Sequence, residues 1–171
     1  MSTWVQATPF GDIAVMLGPN GVERISLLGL DGDFMAVDVP KRDPAAKKSR
    51  RETGIARQLD EFFAGTRREF DVAIDLPGSL SELQEKILLT LRDGVGYGET
   101  VTYGELAEMV GRPGAARAVG STMARNPVPF LVPCHRVVAA NGIGGYGGGY
   151  GDGVALKRAL LDLEAGGRSR Y

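Results

Sequence analysis

Residues 101–125 read VTYGELAEMVGRPGAARAVGSTMAR, and their punctuation decides the architecture of the second half of the chain. Thr102 and Glu105 stand three apart, the spacing of a capping box, which predicts a helix from there to about Val110. Gly111-Arg112-Pro113-Gly114 is a tight break. Ala115 to Arg125 carries no breaker except Gly120 and is predicted as a second helix, stopped by Asn126-Pro127. Two short helices joined by a glycine-containing turn form the pattern of a helix-turn-helix, a pattern that many helical hairpins share. The surface of the second helix is small: Ala115, Ala116, Ala118, Gly120, Ser121 and Ala124. Small residues let a helix backbone come close to a partner. That partner is either the first helix or a groove of DNA, with Arg117 and Arg125 near phosphates or bases.

Downstream, Val128 to Val132 is an apolar run bounded by prolines, predicted as a short buried strand. Pro133-Cys134-His135-Arg136-Val137 follows, then a glycine-rich loop, Gly142 to Gly153, holding Tyr146 and Tyr150. Val154 to Glu164 places Leu156, Leu160 and Leu163 at helical spacing, and Gly166-Gly167 ends that helix before a polar tail. Upstream, Leu80, Leu83, Ile87 and Leu91 form a helical stripe behind a capping box, Ser79 with Glu82 or Ser81 with Gln84. Leu76-Pro77-Gly78 reads as a linker, giving domains 1–76 and 77–171. The first begins with strand candidates around Val5, at Ile13-Val15-Leu17 and at Val22 to Leu28, separated by turns at Pro9-Phe10-Gly11 and Gly18-Pro19-Asn20-Gly21. Together they predict an antiparallel meander. Asp31 to Glu52 is polar and reads as a long connection. Ile55, Leu59, Phe62 and Phe63 then mark one face of a helix closed by Gly65, and Phe70, Val72 and Ile74 a further strand.

The chain has 171 residues, room for one large or two small domains with a real core. No apolar stretch is long enough to span a membrane, and Met1 to Phe10 lacks the basic and apolar regions of a secretory signal. The expected compartment is therefore the cytosol. One cysteine and one histidine allow no internal disulfide and no cysteine-rich zinc site. The net charge of −1 does not itself suggest DNA binding. Basic residues nevertheless cluster: Lys41, Arg42, Lys47, Lys48, Arg50 and Arg51 in one run, whose ordinary reading is a solvated loop, and Arg112, Arg117, Arg125 and Arg136 along another segment.

The sole cysteine and the sole histidine are adjacent, in a short proline-bounded segment. Alone, each residue is more often structural than reactive. Together they meet a chemical need, because a free thiol with a pKa of about 8.5 is only a few per cent thiolate at neutral pH. A cysteine nucleophile needs a base, histidine is the natural one, and the base needs an orienting acceptor. Gly142, Gly144 and Gly147 match the pattern G-x-G-x-x-G, but they do not sit between a strand and a helix opening a βαβ unit. No nucleotide cofactor, and no cofactor of any kind, is expected. The loop reads as a flexible segment or as a pliant wall that approaches a flat ligand.

At this point a family resemblance enters. Pro133-Cys134-His135-Arg136-Val137 resembles the active-site motif of the O6-alkylguanine-DNA alkyltransferases (methylated-DNA–protein-cysteine methyltransferases). Val101 to Ala107 resembles the segment that starts the family's helix-turn-helix, Ala115 to Gly120 its recognition helix, and Asn126 to Pro129 the turn before the active site. Gly142 to Gly149 and Lys157 to Glu164 resemble its pocket loop and last helix. The order and spacing are the family's from Ser79 to Gly166, whereas the first 76 residues match only in general layout. The resemblance implies an α+β fold: an α/β, ribonuclease-H-like N-terminal domain with a small antiparallel sheet, and a mostly helical C-terminal domain with a helix-turn-helix.

It also implies a reaction, in which the alkyl group of O6-alkylguanine in DNA moves once and irreversibly to Cys134. O4-alkylthymine stays open as a second substrate. By the resemblance, His135 deprotonates the thiol through a water and Glu164 orients His135. Tyr103 contacts the flipped nucleotide and donates a proton to the leaving guanine. Arg117 is the finger that enters the base stack as the target flips out, a step needed because the reacting atom is unreachable in a duplex. Ala116, Ala118, Gly120, Ser121 and Arg125 complete the DNA-facing helix, in the minor groove. Asn126 braces the turn, Tyr146 and Gly147 wall the pocket, and backbone groups near Cys134 and Val137 read the guanine amine. The implied partner is double-stranded DNA carrying the lesion, with no membrane and no obligate protein partner, and the protein is a monomer associated with the nucleoid when bound. Two departures stand out. Gly147 replaces a serine common in the family, removing a hydroxyl contact to the base, and Tyr150-Gly151-Asp152-Gly153 extends the loop. Competing readings are a lesion-binding module without catalysis, a Cys–His hydrolase, which needs an oxyanion hole, and a purely structural protein.

Overall fold

The computed structural model describes residues 1–28, 48–146, 153–167 and 171. Strands β1 (Ser2–Gln6), β2 (Ile13–Leu17) and β3 (Val22–Leu27) form the expected antiparallel meander, in the order β1-β2-β3. The register pairs Trp4 with Val15 and Gln6 with Ile13. Paired residues share a face, so Trp4 and Gln6 turn inward with β2 while Val5 stands exposed. Helix α1 (Arg50–Phe63) lies against that face, and Gln6 Nε2 donates to the Ala56 carbonyl at 2.9 Å. The helix starts three residues earlier than the connection expected for 31–52 allows. Ser49 and Glu52 form a reciprocal capping box that satisfies two free backbone donors there. Ile55, Leu59, Phe62 and Phe63 are its buried stripe, as the spacing predicts. Of the first basic run, Lys48, Arg50 and Arg51 are described and exposed; Lys41, Arg42 and Lys47 lie outside the described residues.

The strand expected at Phe70, Val72 and Ile74 does not form. Ile74 makes one isolated bridge to Val22. Backbone groups that a strand would use are taken by side chains: the Asp71 N–H donates to Gln58 Oε1 and the Val72 carbonyl accepts from Arg92. The helix α2 (Glu82–Gly94) follows, capped by Ser81 with Gln84 rather than by Ser79. Ile87, Leu88 and Leu91 are buried, while Leu80 and Leu83 are only partly so.

Next come β4 (Val101–Thr102), α3 (Tyr103–Met109) and α4 (Ala116–Ala124), the two helices that the capping and break signals predict. A single 3-10 turn, Cys134–Arg136, leads into β5 (Val137–Val138), and α5 (Gly153–Glu164) closes the fold. Strands β4 and β5 pair in parallel, Val101 with Val137 and Thr102 with Val138. Two-residue strands leave no period to read, yet this ladder ties the start of α3 to the segment that follows Cys134.

Val128 to Val132 is buried as expected but is not a strand. It coils, with the Val132 N–H donating to the Val128 carbonyl and Phe130 at φ +71°, a conformation that costs a bulky side chain on the order of 1–3 kcal/mol. Asn126 holds the coil from inside: its amide donates to the Val132 carbonyl at 2.8 Å, and its oxygen accepts from the Val128 N–H at 3.1 Å. A flat strand would leave Asn126 without these partners. The rings of Phe63 and Phe130 meet at 5.0 Å, and the Ile25 N–H donates to the Pro127 carbonyl, so one buried cluster runs through both halves of the chain. The class is α+β, and among the described residues no helix is long and apolar enough to cross a membrane.

Candidate active site

Cys134 stands at the first position of the 3-10 turn, 6% exposed, with its carbonyl accepting from the Val137 N–H. The turn points its three side chains inward, and His135 and Arg136 are buried beside it. Both reach Glu164 on α5. His135 Nε2 lies 2.8 Å from Glu164 Oε1. Arg136 donates through Nε and Nη2 to the same carboxylate at 3.0 and 2.9 Å, and through Nη1 to the Val95 carbonyl at 2.7 Å. The Gly98 N–H adds a fourth donor at 3.0 Å. Gly98 has φ +78°, and a Cβ there would sit 3.3 Å from the Glu164 carbonyl, so glycine suits this close approach.

The electrostatics follow from these contacts. Burial alone would raise the Glu164 carboxyl, but the hydrogen bonds and charges of His135 and Arg136 outweigh it and hold the group at about 2. Glu164 is therefore ionised, and His135 Nε2 is the nitrogen that donates to it. Burial lowers His135 below its ordinary value, with Glu164 opposing and Arg136 and Lys157 assisting. The resting imidazole is neutral, and its lone pair lies on Nδ1. Burial also pushes the Cys134 thiol up, against the pull of the Asn126 amide, the Tyr146 hydroxyl and the Lys157 ammonium. The resting sulfur is thus a thiol that must lose its proton during reaction.

Among the described residues, two buried side-chain polar atoms lack a hydrogen-bond partner: His135 Nδ1 and Tyr146 Oη. Both flank Cys134. Such atoms are costly in a folded protein and are concentrated where chemistry needs them. Tyr146 is held protonated, its hydroxyl raised well above the usual range by burial and by the facing sulfur.

Lys157, fully buried on α5, was not among the residues the sequence singled out for a role. Its Nζ donates to the Val137 carbonyl at 2.6 Å and the Gly145 carbonyl at 2.8 Å, joining β5 to the glycine-rich loop. Burial brings it down to about 8, with the Cys134 charge opposing. Arg136 was missed in the same way, counted with a basic segment instead of inside the site. A signal existed for Lys157. Lys157 and Glu164 are seven apart, two turns of helix, and share the inward face of α5 with Leu156, Leu160 and Leu161. Leu163, expected on that stripe, is displaced from it and only partly buried.

Tyr103, half-buried at the start of α3, donates to the Gly145 carbonyl at 3.4 Å, and its ring lies 3.9 Å from where a Cβ on Gly120 would stand. Burial raises its hydroxyl, as does the Cys134 charge. Gly144 has φ +73°, and a Cβ there would press within 3.2 Å of the Tyr103 ring and 3.1 Å of the Ala139 nitrogen. The loop backbone thus walls the site at close range. Asn126, Val137, Tyr103 and Tyr146 all gather around Cys134; Gly147 and Tyr150 lie outside the described residues.

Helix α4 and the Arg125 that closes it present Arg117, Ser121 and Arg125, all exposed and at helical spacing, with Ala116, Ala118 and Gly120 half-buried between them. The helix carries no acidic residue, and neither arginine forms an ion pair among the described residues. Residues 82–166 match the family model "6-O-methylguanine DNA methyltransferase, DNA binding domain". A methylated-DNA–protein-cysteine methyltransferase of Mycobacterium bovis is 48% identical over 113 residues, 66% of this chain and 64% of that protein, so the match spans just under two thirds of that relative. One from Methanosarcina barkeri is 34% identical over 92% of both chains. The crystal structure of Mycobacterium tuberculosis OGT in complex with DNA superposes with a TM-score of 0.76 at 35% identity, over 97% of this chain and 94% of that one. With its cysteine set in a histidine–glutamate cluster behind a helix-turn-helix, the chain belongs to the methylated-DNA–protein-cysteine methyltransferase family.

Proposed function

We propose that this protein repairs DNA by transferring the alkyl group of O6-alkylguanine, in a duplex bound through its minor groove, to the sulfur of Cys134. The observation that carries the reading is the buried imidazole next in the chain to the thiol, held on the Glu164 carboxylate at 2.8 Å with its Nδ1 left unpartnered. Nδ1 of His135 takes the Cys134 proton through a bridging water, while Glu164 stabilises the imidazolium that forms through Nε2. The Tyr146 hydroxyl and the Lys157 ammonium face the developing thiolate. The sulfur attacks the alkyl carbon, an S–C bond forms, and the C–O6 bond breaks with its electron pair going to the guanine. Tyr103 donates the proton that the guanine takes up. A thioether is no leaving group here, so each molecule acts once.

The exposed face of α4 supports the DNA contact, with Arg117 as the finger that fills the stack, and the relative crystallised with DNA supports the same partner. Intact-protein mass spectrometry after mixing with an oligonucleotide carrying one O6-methylguanine tests the proposal. One added methyl per molecule, mapped to Cys134, is expected; an unmodified protein that still retains the lesion duplex would leave a binding module instead. Arg117→Ala is expected to slow repair of the duplex by roughly 10²-fold, the scale of a base-flipping cost of a few kcal/mol, while reaction with free O6-benzylguanine is spared. Equal losses on both substrates rule out the finger.

A further inference from the structure

A ring from the N-terminal half of the chain packs against the imidazole of His135. Phe62, on the last turn of α1, is fully buried, with its centroid 6.3 Å from that of His135 and the planes at 57°. The same ring meets Tyr97 edge-on at 6.2 Å, Phe70 at 5.2 Å and Phe130 at 6.3 Å. These separations are those of packed aromatic pairs. Tyr97 in turn lies under the Arg136 guanidinium at 5.9 Å and reaches the Leu163 carbonyl with its hydroxyl. One aromatic hub on α1 therefore touches the base directly and, through Tyr97, the cation that shares its carboxylate.

We propose that Phe62 is a positioning residue for the transfer reaction: its ring seals one face of His135 from water and fixes the imidazole against Glu164. This rests on the function proposed above. The groups facing the imidazole are Glu164 and Lys157 from α5, Arg136 within its own turn, Cys134 before it and Tyr97 beyond Arg136. Phe62 packs on the same imidazole and does not titrate. A smaller side chain there admits water to the ring, which relieves the desolvation that keeps it neutral.

His135 is the only histidine, so its imidazole resonances are assigned without ambiguity. The experiment compares the full-length protein with Phe62→Leu and Phe63→Leu. Phe63 is buried on the same helix and packs on Phe62, Phe10 and Phe130, with no ring contact to His135. The readouts are the NMR titration of the imidazole and the single-turnover methyl-transfer rate constant against pH. Phe62→Leu is expected to move the imidazole midpoint up by roughly half a unit or more, toward its ordinary value, and to move the acid limb of the rate profile with it. Phe63→Leu is expected to lower thermal stability while leaving both unmoved. Equal behaviour of the two variants, or an unmoved midpoint in Phe62→Leu, overturns the proposal. Should Phe62→Leu not fold, Phe62→Met, also smaller than the ring but more adaptable in packing, gives the same comparison. The titration needs no activity: a wild-type protein that fails to take up the methyl group refutes the proposed function, while the imidazole midpoints still decide whether Phe62 seals the ring.

Discussion

Cys134→Ala is expected to leave methyl transfer undetectable while the protein still shifts a lesion duplex in a gel. The chain holds one thiol, and no other side chain around the site combines a polarisable nucleophile with a base and an orienting carboxylate. Alanine fills most of the space of the cysteine side chain, and the coil is braced by Asn126 through backbone groups of Val128 and Val132, so that coil and the exposed face of α4 persist. The result separates chemistry from recognition, because the arginines of α4 lie on a different surface from the buried sulfur. A Cys134→Ala protein that still removed the methyl group would force the acceptor role onto another residue, and one that lost all DNA retention would make Cys134 part of the recognition surface.

Glu164→Gln is expected to fail in two ways at once. The carboxylate serves His135 and Arg136 together, and the amide leaves Arg136 as a buried cation without its counter-charge. Removing one partner of a buried pair costs about 3–5 kcal/mol, read as a lower denaturation midpoint. The imidazolium formed in the reaction also loses its anion, and the transfer rate constant is expected to fall roughly 10²-fold or more, within the range of positioned acid–base catalysis. The acid dependence distinguishes this from simple loss of packing. Glu164 titrates at about 2 in the folded protein against an ordinary value of 4.5. Its contribution, on the order of 3 kcal/mol, is complete above its ordinary value and is lost as pH falls from there toward 2. His135, lowered by burial, adds a loss of the same sign that begins below its ordinary 6.5. Thermal denaturation of the wild type is therefore expected to steepen in acid, and Glu164→Gln to flatten the limb below 4.5. A variant with an unchanged acid limb and an unchanged rate would remove Glu164 from the site.

Local signals located most of the regular elements. Capping boxes mark the starts of α2 and α3, and the break at Gly111 to Gly114 separates the paired helices, because caps and turns are satisfied by neighbours in sequence. The stripe of α1 was legible for the same reason. Where side chains, near or far along the chain, took the backbone groups that a strand would use, local reading failed. Val72 gives its carbonyl to Arg92 and Val128 its N–H to Asn126, and both expected strands give way. The early start of α1 lay in a capping box, Ser49 with Glu52, hidden within a polar connection.

The site divides along the same line. The sequence by itself set the cysteine beside the histidine, the arginine-bearing helix with its small residues, and, through the family resemblance, Glu164 and Tyr103 as their companions. Only the tertiary structure decided that Arg136 leaves the basic segment to share Glu164, that Lys157 is drawn inside between β5 and the glycine-rich loop, and that Phe62, more than 70 residues away from His135, lies against its ring. A charge in sequence looks like a charge for solvent. Whether it is buried depends on which carboxylates and carbonyls the fold brings within hydrogen-bonding distance, and those partners come from elements that the chain joins only once it has packed.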